Sequence, residues 1–583
     1  MNTKASEERR SISFQLILIL IGTALIPLAG GNIPNAVTSL RSNLISIIFS
    51  IVHGTDTPIA SHLAIALPFL FAASLSLSSS RVVYLPSPKV FIPLQAFFII
   101  VFVSIGESHF LGYSILQAVQ FFAYGIAFYA VIAGVGRYAG IRLVFQVFIS
   151  STTLLAIIGI EEWVQAKATD PSWRIFAHWM NPNALAIVLA VGLLLCLAEI
   201  NDQKRIGRLL STIAFSLMGL ALFLTQSRGG LLACGIGAIF SIAIYAVKTK
   251  SFPARKVIAV FPALCLTGAF VFAAIHSVNN HAAEPGLRLV KASHATGQST
   301  QFRLNLWKGA IPIIKKHPTG VGIGSYAYYS AESGLTTQTV LAHSNYIQLA
   351  VETSLLGTVT LLAFIVGTFL TAVKGVWCDP QRNLRLAIVL GAIIAMLFDG
   401  LLESDLYFFG SGLLFFILLA LALQLAPDGA SLEINQPILK RGFPIVSTLI
   451  GCGMLYFGTV DTLVSISRGY IARQNIDAAK ANVNAAIKIC PFWNPALMLR
   501  AEISSNLLDR QKYLKEAVHY SPSTKNLRML GETYASIGSL QDAAKYYVKA
   551  LRNDPNSLLT LDKLLNAQIT LGDTIGKPLF NIG

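Results

Sequence analysis

TQSRGGLLACGIG, residues 225–237, sets one fixed positive charge into an otherwise apolar stretch. A hydrophobic run ends at Leu224. Arg228 follows with Gly229 and Gly230 behind it, and the next hydrophobic run starts at once. Such runs recur along the chain. Of 583 residues, 54% are hydrophobic and 12% charged, whereas soluble domains carry about 25% charged residues. The apolar runs lie at roughly 12–30, 59–79, 90–106, 112–134, 141–160, 182–199, 208–225, 230–247, 256–276, 346–373, 385–402, 406–426 and 443–463. Each is near the ~20 residues needed to cross a bilayer. The expected fold is an all-α, polytopic membrane helical bundle of about 13 spans. The short apolar piece at 44–52 reads as a re-entrant or interfacial segment.

Lysine and arginine in the short loops set the orientation. Arg9 and Arg10 precede the first span, and Arg81 and Lys89 lie between the second and third. Arg137 and Arg142, Lys204, Arg205 and Arg208, Lys248, Lys250, Arg255 and Lys256, Lys374, Arg382 and Arg385, and Lys440 and Arg441 fall in alternate loops thereafter. All these loops share one side, which should be the cytoplasm. The opposite loops are poor in basic residues: GESHFLG (106–112) has none and DGLLESD (399–405) is acidic. The net charge of +16 is thereby explained by topology. No stretch combines dense basic residues with aromatic spacing, so no nucleic-acid partner is expected. The first apolar run is read as an uncleaved span rather than a signal peptide, because the later topology needs it. Arg228, the long loop 277–345 and the polar tail then lie on the outer, periplasmic face. Residues 1–464 form the transmembrane part and 465–583 the tail.

The tail carries a helical-repeat signature. NLRMLGETYASIGSLQDAAKYYVKALRNDPNS, residues 526–557, places Leu530, Gly531, Tyr534, Gly538, Ala543, Tyr547, Ala550 and Pro555 at tetratricopeptide spacing. Tyr470, Ala479, Ala486 and Pro491 echo it, and a degenerate middle copy ends at Ala517 and Pro522. Such a stack either engages an envelope protein partner or caps the membrane part. The six cysteines, Cys196, Cys234, Cys265, Cys378, Cys452 and Cys490, form no CxxC pair and read as packing residues.

Arg228 is the first candidate for chemistry. A snorkelling arginine is the bland reading, but this one sits against the positive-inside bias, and ionisable groups at such places mark function. Gly229 and Gly230 permit a tight turn, and bare N–H groups beside an arginine form a small anion site. Arg303 and Trp307 are four apart, so they share a helix face. His317-Pro318 and the turn with Gly320, Gly322 and Gly324 follow. GVGIG lacks a P-loop lysine and a Rossmann context, so nucleotide binding is rejected and no cofactor is expected. His343 lies where the outer loop re-enters an apolar helix. Its neutral form can take a proton from a hydroxyl, with Asn345 and Glu352 placed to orient it. Asn181 and Asn183, after Arg174, either join this face or cap the sixth span. Asp399, Glu403 and Asp405 have no further ligand pattern, so they are read as counter-charges to the arginines rather than a metal site.

With these residues in place, the chain resembles the O-antigen ligase and polymerase superfamily of bacterial envelopes. The matching pieces are TQSRGG (225–230), FRLNLWKGA with HPTGVGIGSY (302–326) and AHSNYIQLAVE (342–352), in the family's order. The likeness covers roughly residues 170–425, and the tail lies outside it. It implies a metal-independent, inverting glycosyltransferase of the inner membrane, taking a glycan from undecaprenyl diphosphate. The acceptor hydroxyl would belong to a lipid, a glycan or a protein. By position, Arg228 and Arg303 would hold the donor diphosphate, with Gly229, Gly230, Trp307, Asn345, Glu352 and Asn183 lining the site, and His343 would act at the acceptor. One departure stands out: the family often has glycine two residues after the glutamate, where this chain has Ser354.

Ligase or polymerase is the leading expectation, with protein O-oligosaccharyltransferase as the alternative. A transporter or flippase of lipid-linked glycan would need polar residues near mid-membrane on several spans, and these spans are nearly charge-free. A non-catalytic scaffold predicts that Arg228, Arg303 and His343 are dispensable.

Overall fold

The computed structural model describes residues 13–31, 58–79, 83–136, 138–170, 172–202, 205–251, 254–276, 294–374, 379–426, 431–434 and 437–571. The expected segment 44–52, loop residues 277–293, Arg9, Arg10, Arg81, Arg137, Lys204 and Cys378 lie outside them.

The fold is built from α-helices. In chain order they are α1 (Phe14–Ala29), α2 (Pro58–Ser79), α3 (Pro88–Ser104), α4 (Leu111–Gly134), α5 (Tyr138–Ala166) and α6 (Pro182–Asp202). Then come α7 (Arg205–Leu224), α8 (Arg228–Thr249), α9 (Phe261–His276), α10 (His294–Lys316) and α11 (Asn345–Val373). The bundle closes with α12 (Pro380–Asp399), α13 (Phe409–Leu425) and α14 (Pro437–Ala472). Every one of these except α10 falls on an expected span. Among the described residues, nine helices are long and apolar enough to cross a membrane, and α1, α13 and the core of α2 are shorter apolar helices. The chain is a multi-pass, all-α membrane protein. The described departure from helix is a short antiparallel ribbon, β1 (Val83–Pro86) with β2 (Ser431–Ile434).

Two helices make the centre. Residues 184–191 of α6 and nearly all of α13 are apolar on every face and buried, as expected of helices surrounded by other helices. Around them α3, α4, α5 and α11 contribute Phe97, Phe121, Tyr124, Phe128, Phe145 and Phe364 to one continuous core with Phe416 of α13. By contrast α3, α8 and α9 leave Ile99, Phe102, Leu232, Ile239, Leu264 and Phe272 exposed, the outward apolar surface that lipid would cover. The described cysteines Cys196, Cys234, Cys265, Cys452 and Cys490 are all free.

Alternation of the helices gathers the starts of α6, α8, α11 and α13 and the end of α12 at one end of the bundle. The polar candidates lie there. α14 runs on without a break to Ala472, so the boundary at 464 falls inside a single helix. Six tail helices follow it: α15 (Ile476–Ile489), α16 (Asn494–Glu502), α17 (Leu507–Tyr520), α18 (Thr524–Ser536), α19 (Leu540–Asn553) and α20 (Leu558–Thr570).

Candidate functional site

Glu403 organises the site. It lies in the turn between α12 and α13, with its side chain only 3% exposed. Asn183 Nδ2 donates to Oε1 at 2.6 Å and His343 Nδ1 meets Oε2 at 2.8 Å. Arg303 Nη2 donates to Oε1 as well. Burial alone would raise the carboxyl's pKa. The hydrogen bond from His343, the Arg303 charge and the hydrogen bond from Asn183 outweigh it and hold Glu403 below the ordinary carboxylate value. A permanent carboxylate thus draws together three of the expected site residues from distant parts of the sequence.

Each partner is fixed by its own segment. Arg303 stands on α10, one turn before Trp307, whose indole N–H donates to Ala342 O at 3.1 Å. That bond anchors the residue before His343. On the other side, Ser344 N donates to Ser404 Oγ at 3.2 Å, and Asn345 N donates to Gly400 O at 2.9 Å. Asn345 Oδ1 accepts from Leu406 N at 2.9 Å. His343 is held between these at φ 50°, a conformation that histidine tolerates better than bulky residues. Asn183 is held by Arg174, whose Nη2 donates to Asn183 Oδ1 at 2.8 Å while Nε donates to Thr225 O at 2.7 Å. Glu162 fixes Arg174's loop in turn, accepting from Trp173 Nε1 at 2.8 Å and Ala177 N at 2.7 Å.

Two atoms at this site remain open. Arg303 Nε is buried without a hydrogen-bond partner among the described residues. His343 uses Nδ1 on Glu403, and its side chain is 24% exposed. With Nδ1–H donating to the carboxylate, Nε2 keeps its lone pair; this tautomer is assigned from the network.

Arg228 opens α8 at the same end. The expectation that Gly229 and Gly230 turn the chain is corrected. The turn lies at residues 225–227, where Gln226 takes φ 51° and Ser227 caps the helix, accepting from Gly230 N at 3.2 Å. The glycines are helical and serve close approach instead. A Cβ at Gly230 would stand 2.5 Å from Ala186 Cβ, and one at Gly229 would stand 3.0 Å from Asp399 Oδ1. The start of α8, which bears Arg228, thus packs against α6 and the end of α12.

Asp399 and Asp405 are both buried. As two bare carboxylates they would leave all four oxygens without a donor among the described residues. Burial and the neighbouring Asp399 charge raise the Asp405 pKa well above the ordinary value. Of the acidic trio, only Glu403 meets Arg303 and His343 directly. Among the described residues no group of three metal-ligating side chains occurs.

Glu352 does not orient His343; Glu403 does. Glu352 is buried and accepts from Gly324 N at 2.8 Å, Tyr326 N at 3.0 Å and Tyr407 Oη at 2.7 Å. It pins the glycine-rich turn to α11. That turn also replaces part of the helix. Ser354, inside α11, has φ 69° and ψ 170°, and the break frees two carbonyls. Val321 N donates to Val351 O at 2.9 Å and Gly322 N to Glu352 O at 3.0 Å. A Cβ at Gly320 would stand 2.5 Å from Glu352 O, so the backbones meet only with glycine there.

The conformation of Ser354 belongs almost exclusively to glycine and costs roughly 1–3 kcal/mol for other residues. A glycine at this position would carry no such cost. Ser354→Gly should raise the thermal unfolding midpoint of the detergent-solubilised protein. The serine hydroxyl, which accepts from Leu356 N at 3.2 Å, offsets only part of the gain. An unchanged midpoint would remove the assignment of strain.

Residues 213–365 match the family model described as O-antigen ligase. That segment, running from α7 into α11, is thus similar to O-antigen ligases, which supports the resemblance to the O-antigen ligase and polymerase superfamily. No curated protein matches the chain. The matched segment holds Arg228, Arg303 and His343. Asn183, Glu403 and the whole tail lie outside it.

Proposed function

We propose that this protein transfers a glycan from undecaprenyl diphosphate to an acceptor hydroxyl at the periplasmic face of the bacterial inner membrane, as an O-antigen ligase or polymerase. The observation that carries the reading is the convergence of Arg303, His343 and Asn183 on one buried carboxylate, beside the helix start that bears Arg228.

The acceptor hydroxyl gives its proton to His343 Nε2 as its oxygen attacks the anomeric carbon. The bond from that carbon to the diphosphate oxygen breaks on the opposite face, so configuration inverts. Glu403 stabilises the imidazolium that forms. Charge developing on the departing diphosphate meets Arg228, the partly exposed guanidinium of Arg303 and the first N–H groups of α8. The guanidiniums thus take the charge-neutralising role without a metal.

The polar groups of this cluster sit at one end of the bundle, which supports chemistry at a surface over a transport path. The tail's close packing supports a tetratricopeptide-like stack: a Cβ at Gly531 would stand 2.6 Å from Tyr547 Cε1.

Glycan analysis of a deletion strain complemented with Arg228→Ala is the direct test. Loss of long glycan from its acceptor is expected, with undiminished protein in the membrane. Wild-type glycan in that strain would remove Arg228 from the mechanism. In a null strain, single repeat units on the acceptor would identify a polymerase and long unattached chains a ligase.

A further inference from the structure

Residues 331–341 form no helix or strand, yet they lead directly to His343. Backbone groups there need partners from elsewhere. The tail supplies them. Between α19 and α20, Asn556 Nδ2 donates to Gly334 O at 2.7 Å and reaches Thr336 O at 3.3 Å. Gln338 N donates to Asp554 Oδ2 at 3.4 Å. Asp554 is buried, and its other oxygen accepts from Asn556 N at 3.1 Å, so the gripping turn is itself fixed.

The grip rests on a seated body. Trp493, before α16, packs on Tyr113 of α4 and Phe457 of α14, with centroids 5.6 and 5.4 Å apart. Val460, Val464, Val483 and Ala486 complete a buried cluster joining the tail to the bundle. Further along the loop, Thr339 N donates to Ser330 Oγ at 2.9 Å, and the Trp307 indole takes Ala342 O.

We infer that the Asp554-Pro555-Asn556 turn is a clamp that positions the loop carrying His343, which makes the tail part of the site's scaffold. The inference rests on the transferase reading above. Asn556 and Asp554 are positioning residues: they touch the loop, which places His343 against Glu403. A tail serving only to attract a partner would not need to hold this loop.

Asn556→Ala in the full-length protein tests it. Loop displacement of this kind lowers kcat by about 10- to 100-fold, and the donor KM should hold, since Arg228 and Arg303 are not moved. Hydrogen exchange over residues 334–343 should quicken while α15–α20 stay protected. Rescue separates positioning from folding. A Cβ at Gly334 would lie 4.0 Å from Pro555 Cβ, inside the ~3.5–4.5 Å range of a disulfide. Because Gly334 has φ 69°, where cysteine is strained, the oxidised Gly334→Cys, Pro555→Cys protein sets the reference rate; with Asn556→Ala added, the pair should regain that rate on oxidation and lose it on reduction. Wild-type kcat and unchanged loop exchange in Asn556→Ala would overturn the clamp, as would a formed disulfide that restores nothing. Faster loop exchange in a protein whose wild type transfers no glycan would keep the clamp and sink the transferase reading instead.

Discussion

Replacement of His343 by alanine is expected to lower kcat by about 10²–10⁴-fold, the range for loss of a positioned general base. Donor affinity should change little, because the guanidiniums remain. The site holds His343 at φ 50°, so alanine also strains the backbone. His343→Asn separates the two effects. Asparagine is among the residues that accept this conformation, yet it offers no basic nitrogen. Equal losses in the two variants would assign the effect to proton transfer. Recovery of activity in His343→Asn would leave His343 with a backbone role only. The measurement is single-turnover transfer from a purified lipid-linked donor, with donor binding followed separately.

Glu403 is the second position of large effect. In Glu403→Ala, Arg303, His343 and Asn183 lose their common acceptor in a site where the carboxylate is 3% exposed. Removing one partner of a buried pair costs about 3–5 kcal/mol, so poor membrane yield or early unfolding is expected. Glu403→Gln is the sharper variant. Its amide N–H₂ can donate to His343 Nδ1, which turns the imidazole to the opposite tautomer and places the proton on Nε2. A loss of about 10⁴-fold follows such a swap in a carboxylate–histidine pair, with a smaller loss of stability than in Glu403→Ala. Glu403→Gln with wild-type kcat would remove the carboxylate from the mechanism. The pH dependence has a definite sign. The folded-state pKa of Glu403 lies below its unfolded value, which for glutamate is about 4.3. Its stabilisation is therefore fully present above that value and fades only as pH falls through the lower folded one. The difference in unfolding midpoint between wild type and Glu403→Gln should hold steady from neutral to mildly acid pH, then narrow.

The spans were legible in the sequence because each is a local pattern: about twenty apolar residues report one crossing whatever the neighbours do. Arg228 was legible as a charge in the wrong place for topogenesis, Arg303 by its helix face shared with Trp307, and His343 by its place where the outer loop re-enters an apolar helix. Their meeting point was not. Glu403 lies 60 positions from His343 and 100 from Arg303, and periodicity carries no information across such separations. The acidic turn 399–405 was visible as counter-charge, but nothing in it distinguished Glu403 from Asp399 or Asp405. The tertiary fold decides that, by placing Glu403 alone of the three on Arg303, His343 and Asn183. Gly229 and Gly230 illustrate the opposite error. Glycine signals either a turn or a close approach, and only the position of Ala186 and Asp399 shows which. The break at Ser354 was hidden because an apolar helix containing serine looks continuous; the evidence for it lies in the backbone of a different segment, at Val321 and Gly322.

The hydrogen bonds from Asn556 to the carbonyls of Gly334 and Thr336 also order events in time. The membrane-spanning helices are synthesised and can insert before residue 556 leaves the ribosome. Until α19 and α20 have folded, the stretch leading to His343 lacks part of its support. Maturation of the site is thus deferred to the end of biogenesis, and a nascent or truncated chain would sit in the bilayer with its spans in place and its reactive loop still unset.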